Sequence, residues 1–275
     1  DAVAFAEDMP PPRAIPVNIR PRPFPQRPPS KHAPDDKRAI SRHSDGTITR
    51  GPVTPPGLVA PAFASEPPQS GVNVEEPAGL MTVEPQNFGA LSVVSSPQLW
   101  PTSAAVKIIM HFPTSGWFVC SGSMIDPLHV LTAGHCVYDI DTNEWADDFL
   151  IYPAATDPTN TWVSPTAPFG GSGWTQAHSF TGWTSSGDFD YDIGVIDGDR
   201  TVGALSGWYG YGYNDSCSFF QTNTFRTPGY PAESPYDGSR MYTRSGTFDS
   251  CDYLLTWYGN EVRFNARSYQ GQSGS

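Results

Sequence analysis

Three segments of this 275-residue chain carry the residue types needed for nucleophilic catalysis. Ser273 lies in the sequence Gly-Gln-Ser-Gly-Ser, His135 lies in Thr-Ala-Gly-His-Cys, and Asp192 directly precedes the apolar run Ile-Gly-Val-Ile. A serine hydroxyl is a poor nucleophile until an imidazole can accept its proton, and a buried carboxylate orients that imidazole. The segments therefore predict a nucleophile at Ser273, a base at His135 and an acid at Asp192.

The glycine two residues before the serine predicts an oxyanion site. Gly271 allows the backbone to turn so that its own N–H and that of Ser273 converge on the oxygen that becomes negatively charged. Loss of one such donor typically raises the reaction barrier by about 2.7–4 kcal/mol. The backbone N–H groups of Gly271 and Ser273 are therefore the expected oxyanion donors.

The order and spacing of the three residues carry more information than any one of them. A Gly-x-Ser-Gly turn alone is common in glycine-rich proteins, and Asp188 and Asp190 compete with Asp192 for the acid role as solvated turn residues. Only Asp192 directly abuts an apolar strand-like run, and His135 precedes it by 57 residues while Ser273 follows it by 81.

These segments resemble those of the chymotrypsin-like serine endopeptidases, whose order is also His, Asp, Ser. Trypsin-type members have Gly-Asp-Ser-Gly-Gly, whereas Gly-x-Ser-Gly-Ser is similar to the glutamyl endopeptidase branch of bacteria and fungi. Residues 229–231, Gly-Tyr-Pro, resemble that branch's Tyr-Pro-Gly turn, with Ala232 in place of its glycine. The resemblance covers residues 97–275.

The resemblance implies a fold and a mechanism. The fold is all-β, two six-stranded barrels with His135 and Asp192 on the first and Ser273 on the second. Family members continue for several strands after the serine, whereas this sequence ends two residues after it. We therefore expect a chymotrypsin-like double β-barrel whose second barrel is incomplete, and little activity from these 275 residues alone.

The elements that must position these residues are short and rich in strand-forming side chains. Clusters of Gly, Pro, Asp and Ser separate apolar runs at residues 104–110, 116–120, 129–131, 149–152 and 193–196. This spacing indicates an all-β barrel or sandwich rather than alternating strands and helices. The mainly apolar stretch at residues 124–131 predicts a buried strand just before the histidine motif.

All four cysteines lie in the region that resembles the peptidases. Family members pair cysteines at the positions of Cys120 and Cys136, so the resemblance implies that bridge, with Cys217 and Cys251 as the remaining pair. Closing a loop of this size contributes about 3 kcal/mol in the chain-entropy model. Free thiols in a reducing compartment are the alternative, but an even cysteine count beside a peptidase motif favours secretion.

The front of the chain differs in composition from the rest. Residues 1–87 contain 18 of the 29 prolines and no cysteine, which predicts a largely disordered segment with little core. Residues 1–50 carry nine basic and six acidic residues, net +3, whereas residues 51–275 carry seven and twenty-two, net −15. We interpret residues 1–90 as a Pro-rich propeptide or linker.

Residues 91–275 then form the serine peptidase domain, without its C-terminal strands. Removal of a propeptide predicts a zymogen cleaved between about residues 79 and 97. Two alternatives stay open for the front segment: a plain flexible linker, or a polyproline II ligand at residues 20–25 for an SH3-like partner. The Ala-Phe-Ala sequence at residues 4–6 is similar to a signal-peptidase site.

The substrate pocket is the least determined part of the site. In the glutamyl branch a Thr or Ser five residues before the nucleophile helps to bind a P1 carboxylate, and Ser268 has that offset. A cation at Arg267 would favour acidic P1 residues through charge-assisted hydrogen bonds. Arg267 could equally face solvent from a strand, so acidic P1 specificity stays open.

We therefore expect a secreted serine endopeptidase that acts on proteins or peptides through an acyl-enzyme. We expect no cofactor and no metal, because the acidic pairs Asp139–Asp141 and Asp147–Asp148 lack the spacing of a calcium loop. The net charge of −15 argues against nucleic acid as a partner, no apolar run is long enough for a membrane helix, and a monomer is expected. The alternatives are a non-catalytic binding module on the same fold and an extracellular scaffold in which the proline-rich front segment is the functional part.

Overall fold

The computed structural model describes residues 20–21, 38–51, 88–156, 166–212, 216–253, 260–264, 266 and 268–275. The strands in these ranges are β1 Arg20–Pro21, β2 Ala39–His43, β3 Ile48–Arg50, β4 Ser92–Val93, β5 Ala105–Phe112, β6 Gly116–Met124, β7 His129–Thr132, β8 Tyr138–Asp139, β9 Glu144–Trp145, β10 Asp148–Pro153, β11 Trp174–Phe180, β12 Gly194–Gly198, β13 Phe225–Arg226, β14 Tyr242–Thr243, β15 Ser245–Gly246, β16 Ser250–Tyr253 and β17 Asn260–Arg263. The helices are α1 Gly203–Ser206 and α2 Cys217–Thr222, with 3-10 turns at Thr102–Ala104, Gly134–Cys136 and Phe189–Tyr191 and a π-helical turn at Gly182–Ser186. The all-β prediction is confirmed.

One nine-stranded sheet organises the described residues up to Gly198. Its order is β10-β5-β6-β7-β12-β11-β2-β3, with β1 pairing beside β6. The five predicted apolar runs fall in β5, β6, β7, β10 and β12. The longest ladder joins β5 to β6, from Ala105 opposite Ser123 to Phe112 opposite Gly116.

Strand β5 is covered on both faces because its side chains alternate between two apolar clusters. Ile108 and Met110 belong to the main core, whereas Ile109 packs with Leu150 and Tyr152 on the other side. Fully burying one such side chain contributes roughly 1.5–3 kcal/mol. This two-sided burial explains why the run is almost continuously apolar.

The prediction of one buried strand across residues 124–131 is wrong. Strand β6 ends at Met124 and β7 begins at His129. The Asp126 carboxylate accepts hydrogen bonds from the backbone N–H groups of Leu128 and His129 at 2.7 and 2.8 Å. This side-chain-to-backbone turn reverses the chain between the two strands.

The second half of the chain contributes smaller sheets. In its described part, β13 pairs with β15, β16 pairs with β17, and β14 pairs with β4, which lies before the large sheet's β5; β8 and β9 form a further two-stranded sheet. Two disulfides join elements of the fold: Cys120 to Cys136, with Cα atoms 6.3 Å apart, and Cys217 to Cys251, at 5.8 Å. These are the pairings that the resemblance implies.

The Pro-rich front segment contributes strands that the sequence analysis did not anticipate. Strands β2 and β3 form a hairpin, and β2 extends the nine-stranded sheet beyond β11. Ile40 of this hairpin is only 4% exposed and belongs to the main core. Part of the front segment is therefore integral to the first sheet.

Candidate active site

His135 lies in the 3-10 turn that follows β7. The pairing of β7 with β12 sets Thr132 opposite Gly194, so the histidine turn and the chain around Asp192 meet at the same end of the sheet. A β-carbon at Gly134 would lie 3.0 Å from Asp192 Oδ1 and 3.0 Å from Ile193 N. Glycine at this position is what allows the two segments to approach so closely.

The Asp192 carboxylate holds both the backbone and the ring of His135. Its Oδ2 lies 2.8 Å from the ring Nδ1, and its Oδ1 accepts a hydrogen bond from the backbone N–H at 2.7 Å. The side chains of His135 and Asp192 are only 4% and 15% exposed. This contact fixes the orientation of the imidazole ring. Nε2 is the ring nitrogen that does not contact Asp192.

The competing aspartate Asp188 has a local structural role. Its Oδ1 accepts a hydrogen bond from the backbone N–H of Asp190 at 3.2 Å and caps the 3-10 turn Phe189–Tyr191. Asp192 follows this turn directly, and it contacts His135.

Trp183 packs beside His135, and the sequence did not indicate this contact. The Trp183 and His135 ring centroids lie 6.4 Å apart in an edge-on arrangement. Trp183 is fully buried, and its indole N–H donates to the backbone carbonyl of Tyr138 at 3.1 Å. This hydrogen bond fixes the indole that excludes water from one side of the imidazole.

Ser273 lies in a tight loop between two glycines with left-handed backbone. The φ angles are +93° at Gly271 and +86° at Gly274, values that side chains with a β-carbon rarely adopt. A β-carbon at Gly274 would also clash with the carbonyl oxygen of Ser121 and the hydroxyl of Thr132. Both glycines are therefore required by the conformation of the loop.

Ser121 on β6 fastens this loop to the first sheet. Its backbone N–H donates to Ser273 O at 2.9 Å, and its hydroxyl donates to Gly271 O at 2.8 Å. The same hydroxyl accepts the backbone N–H of Tyr230 at 2.8 Å, and its carbonyl accepts the hydroxyl of Thr132 at 2.8 Å. Nothing in the sequence distinguished Ser121 from other strand serines.

The serine loop and the histidine turn are adjacent. Cys136 Sγ lies 3.9 Å from Ser273 O, and Cys136 is bridged to Cys120 beside Ser121. Ser273 itself is 8% exposed, and within the described residues its hydroxyl has no hydrogen-bond partner. Leaving a buried hydroxyl unpaired costs about 1–3 kcal/mol, which is typical of a group kept for a reaction or a ligand.

The side chain of Gln272 closes the loop from the other side. Its Oε1 accepts the backbone N–H of Tyr269 at 3.1 Å and approaches a guanidinium nitrogen of Arg244 at 3.4 Å. Arg244 is 6% exposed, and its burial lowers the pKa of the guanidinium, because desolvation disfavours the cation. An arginine nevertheless keeps its proton at neutral pH.

The Gly-Tyr-Pro turn at residues 229–231 packs directly on the serine loop. Tyr230 is fully buried, and the backbone N–H of Ala232 donates to Gln270 O at 2.7 Å. A β-carbon at Gly271 would lie 2.5 Å from Tyr230 O. Close backbone contact between the turn and the loop is a second reason for glycine at position 271.

The structure describes only one of the two predicted pocket residues. Ser268 is exposed, and Arg267 lies outside the described residues. Within the described part of the chain, the backbone N–H groups of Gly271 and Ser273 make no hydrogen bond to another group.

The acidic pairs make local hydrogen bonds. Asp139 Oδ1 accepts the backbone N–H of Asp141 at 2.9 Å, and Asp147 Oδ1 lies 2.6 Å from the Nδ1 of His111. Asp148 accepts the backbone N–H of Phe149 at 2.9 Å.

One group of metal-ligating residue types occurs in the described part of the chain. Cys120, His135 and Cys136 bring their ligand atoms within 4.8 Å of one another. Both sulfur atoms are joined in a disulfide, so neither is available as the thiolate that binds metals. These residues do not fit a metal ion.

A known protein family matches part of the chain. Residues 93–223 match the trypsin family, a range that includes His135 and Asp192. This part of the chain is similar to a trypsin-like serine protease domain, and a glutamyl endopeptidase is among the relatives of the chain.

Two curated relatives come from Bacillus. The chain is 31% identical over 184 residues to the extracellular metalloprotease of Bacillus subtilis, covering 66% of this chain and 53% of that protein. It is 29% identical over 174 residues to the glutamyl endopeptidase of Bacillus licheniformis, covering 63% and 49%. The chain thus spans about half the length of these relatives.

Solved structures show similar matches. A Glu endopeptidase in complex with MPD aligns with a TM-score of 0.49 and 22% identity, over 63% of this chain and 77% of that chain. The protease Anisep from Arthrobacter nicotinovorans aligns with a TM-score of 0.46 and 23% identity, over 61% and 81%.

Proposed function

We propose that this chain is part of a secreted serine endopeptidase that hydrolyses peptide bonds through an acyl-enzyme. The observation that carries the proposal is the pairing of His135 with Asp192 next to the loop of Ser273. The 2.8 Å contact between Asp192 Oδ2 and His135 Nδ1 supports a ring whose Nε2 is the proton acceptor.

In the proposed reaction, Ser273 Oγ attacks the substrate carbonyl carbon while His135 Nε2 takes the hydroxyl proton. The N–H groups of Gly271 and Ser273 hold the negative oxygen of the tetrahedral intermediate. His135 then gives its proton to the leaving amine as the C–N bond breaks. Water, deprotonated by the same imidazole, releases the acid product and restores Ser273.

Asp192 and the buried surroundings of His135 make this cycle efficient. The carboxylate stabilises the imidazolium that forms in each half-reaction, and Trp183 keeps water from that side of the ring. Charge development in a partly dry site is stabilised more strongly than in water.

Acidic residues at P1 are the proposed substrate preference. Support comes from the relative in Bacillus licheniformis named glutamyl endopeptidase and from Ser268 and Arg267 just before the nucleophile. In the full-length protein, Arg267→Ala or Ser268→Ala should lower kcat/KM for Glu-P1 peptides more than for Leu-P1 peptides. Equal losses for both peptides would remove this preference from the proposal.

Secretion and maturation complete the proposal. The relative in Bacillus subtilis is called extracellular, and two disulfides favour an oxidising compartment. None of the helices in the described part of the chain is long and apolar enough to cross a membrane. We propose residues 1–90 as a propeptide and residues 91–275 as peptidase domain.

Peptide hydrolysis by the full-length protein tests the proposal against a non-catalytic binding module on the same fold. The wild-type protein should cleave a Glu-P1 peptide, lose activity after fluorophosphonate treatment and keep it in EDTA. Ser273→Ala should be folded but inactive. Hydrolysis that survives in Ser273→Ala would refute the proposed nucleophile, and a folded wild-type protein that binds peptides without cleaving them would favour the binding module.

A further inference from the structure

Residues 38–51, here called the leader hairpin, contain β2, a turn and β3. Strand β2 pairs antiparallel with β11 over five residue pairs, from His43 opposite Gln176 to Ala39 opposite Phe180. Backbone hydrogen bonds continue past both ends of this ladder, at 2.8 and 2.9 Å. The hairpin therefore covers an edge of the sheet along the whole of that pairing.

Three side chains of β2 fasten the hairpin to different parts of the domain. Ile40 is 4% exposed and lies in the main apolar core. Arg42 donates from Nη1 to the carbonyl of Trp145 at 3.4 Å. Ser41 Oγ lies 2.7 Å from His178 Nδ1.

The contact with His178 continues into the sheet. His178 Nε2 lies 3.0 Å from Asp197 Oδ2, and Asp197 is on β12. A hydrogen-bonded row thus runs from the hairpin across β11 to the strand that follows Asp192. An edge contact by backbone alone would not reach this far.

Charge favours the same association. Residues 38–50 carry three arginines and one aspartate, net +2, whereas residues 51–275 carry a net charge of −15. A basic strand beside an acidic domain is electrostatically complementary.

A second, shorter part of the front segment also contacts the sheet. Strand β1 pairs in parallel with Phe118 and Val119 of β6. The guanidinium of Arg20 lies 4.9 Å from the centre of the Phe118 ring and hydrogen-bonds the carbonyl of Ser115. Because this contact is independent of β2, a test of the hairpin must remove it.

We propose that the leader hairpin is a strand-addition partner of β11 that stays bound to the domain after the backbone between residues 51 and 88 is cut. Strand addition supplies main-chain hydrogen bonds, and the buried Ile40 supplies the specific anchor. The matured protein is then a two-chain species whose sheet edge at β11 stays covered, which protects it from edge-to-edge association. The proposal does not depend on catalytic activity.

The test uses the full-length protein with Ser273→Ala, so that self-cleavage plays no part. Recognition sites for a site-specific protease are inserted within residues 22–37 and within residues 52–87, and both are cut. The released piece then carries the leader hairpin without β1. Size-exclusion chromatography followed by mass spectrometry should find this piece and the domain in the same peak, in equal amounts.

Two matched variants locate the anchor. Ile40→Asp should release the piece, because it sets a charge in the core, whereas Ile48→Asp should retain it, because Ile48 on β3 is 41% exposed. Separate elution of the unsubstituted piece from a domain that is folded by circular dichroism would overturn the proposal. Identical behaviour of the two variants would overturn the assignment of Ile40 as the anchor.

Discussion

Replacing Ser121 by alanine should damage catalysis from a position that never touches substrate. The Ser121 hydroxyl is fully buried and joins Gly271 O and Tyr230 N at 2.8 Å each. Its removal leaves one acceptor and one donor without a partner, at about 1–3 kcal/mol each. The free energy of unfolding should therefore fall by about 2–6 kcal/mol.

The same substitution should act on the oxyanion site. The backbone bond from Ser121 N to Ser273 O remains, so the loop loses its attachment only at Gly271. A displacement of about 1 Å at a catalytic group can cost about 100-fold in rate. We expect kcat to fall by about that factor with little change in KM, because the donor is used chiefly in the transition state.

Steady-state kinetics on a peptide substrate, with thermal unfolding of the same samples, measures both effects. Ser123→Ala is the matched control, since Ser123 lies on the same strand and makes no comparable contact within the described residues. Wild-type kcat in a folded Ser121→Ala protein would refute the claim that Ser121 positions the serine loop.

Three further predictions concern the acid, the glycine loop and a turn before β7. Asp192→Asn should lower kcat by about four orders of magnitude, as in the general serine triad, and a drop below tenfold would contradict the role of Asp192. Gly274→Ala should reduce the free energy of unfolding in denaturant titrations by more than Gly46→Ala, because Gly46 also has positive φ but open space around it. The Gly46→Ala substitution should cost only about 1–2 kcal/mol. Equal costs for the two substitutions would argue against the tight loop. Burial disfavours the Asp126 carboxylate, but hydrogen bonds from backbone amides outweigh burial and lower the pKa of Asp126. Asp126→Asn should therefore destabilise the protein at neutral pH, and the difference should disappear as the pH falls below 3.8 through the folded-state pKa; a difference that does not change with pH would contradict this linkage.

The sequence predicted the parts of the site that depend on local chemistry. His135 and Asp192 stand in short motifs whose residue types and order suit a base and its carboxylate, and the structure brings them to 2.8 Å. The five apolar runs became strands because alternating burial on a sheet requires such residues. The contact of Ser121 with the serine loop joins residues that lie 150 positions apart in the chain. No local sequence pattern indicates such a contact, so it could not be predicted from one sequence.

The leader hairpin was missed although a local signal exists. Asp45-Gly46 lies between short strand-like runs, a typical hairpin turn, and Gly46 has φ of +90° while Asp45 accepts the backbone N–H of Thr47 at 2.8 Å. The many prolines around it dominated the composition and hid the turn. The prediction of one strand across residues 124–131 was wrong for the opposite reason, because the apolar residues there masked the turn signal at Asp126.

The central claim is that Ser273 is the nucleophile that His135 activates. Intact-mass analysis of the full-length protein after fluorophosphonate treatment, with peptide mapping of the adduct, tests it most directly. We expect one adduct on Ser273 in the wild-type protein and none in Ser273→Ala. A folded wild-type protein without an adduct, or an adduct that persists in Ser273→Ala, would contradict the account.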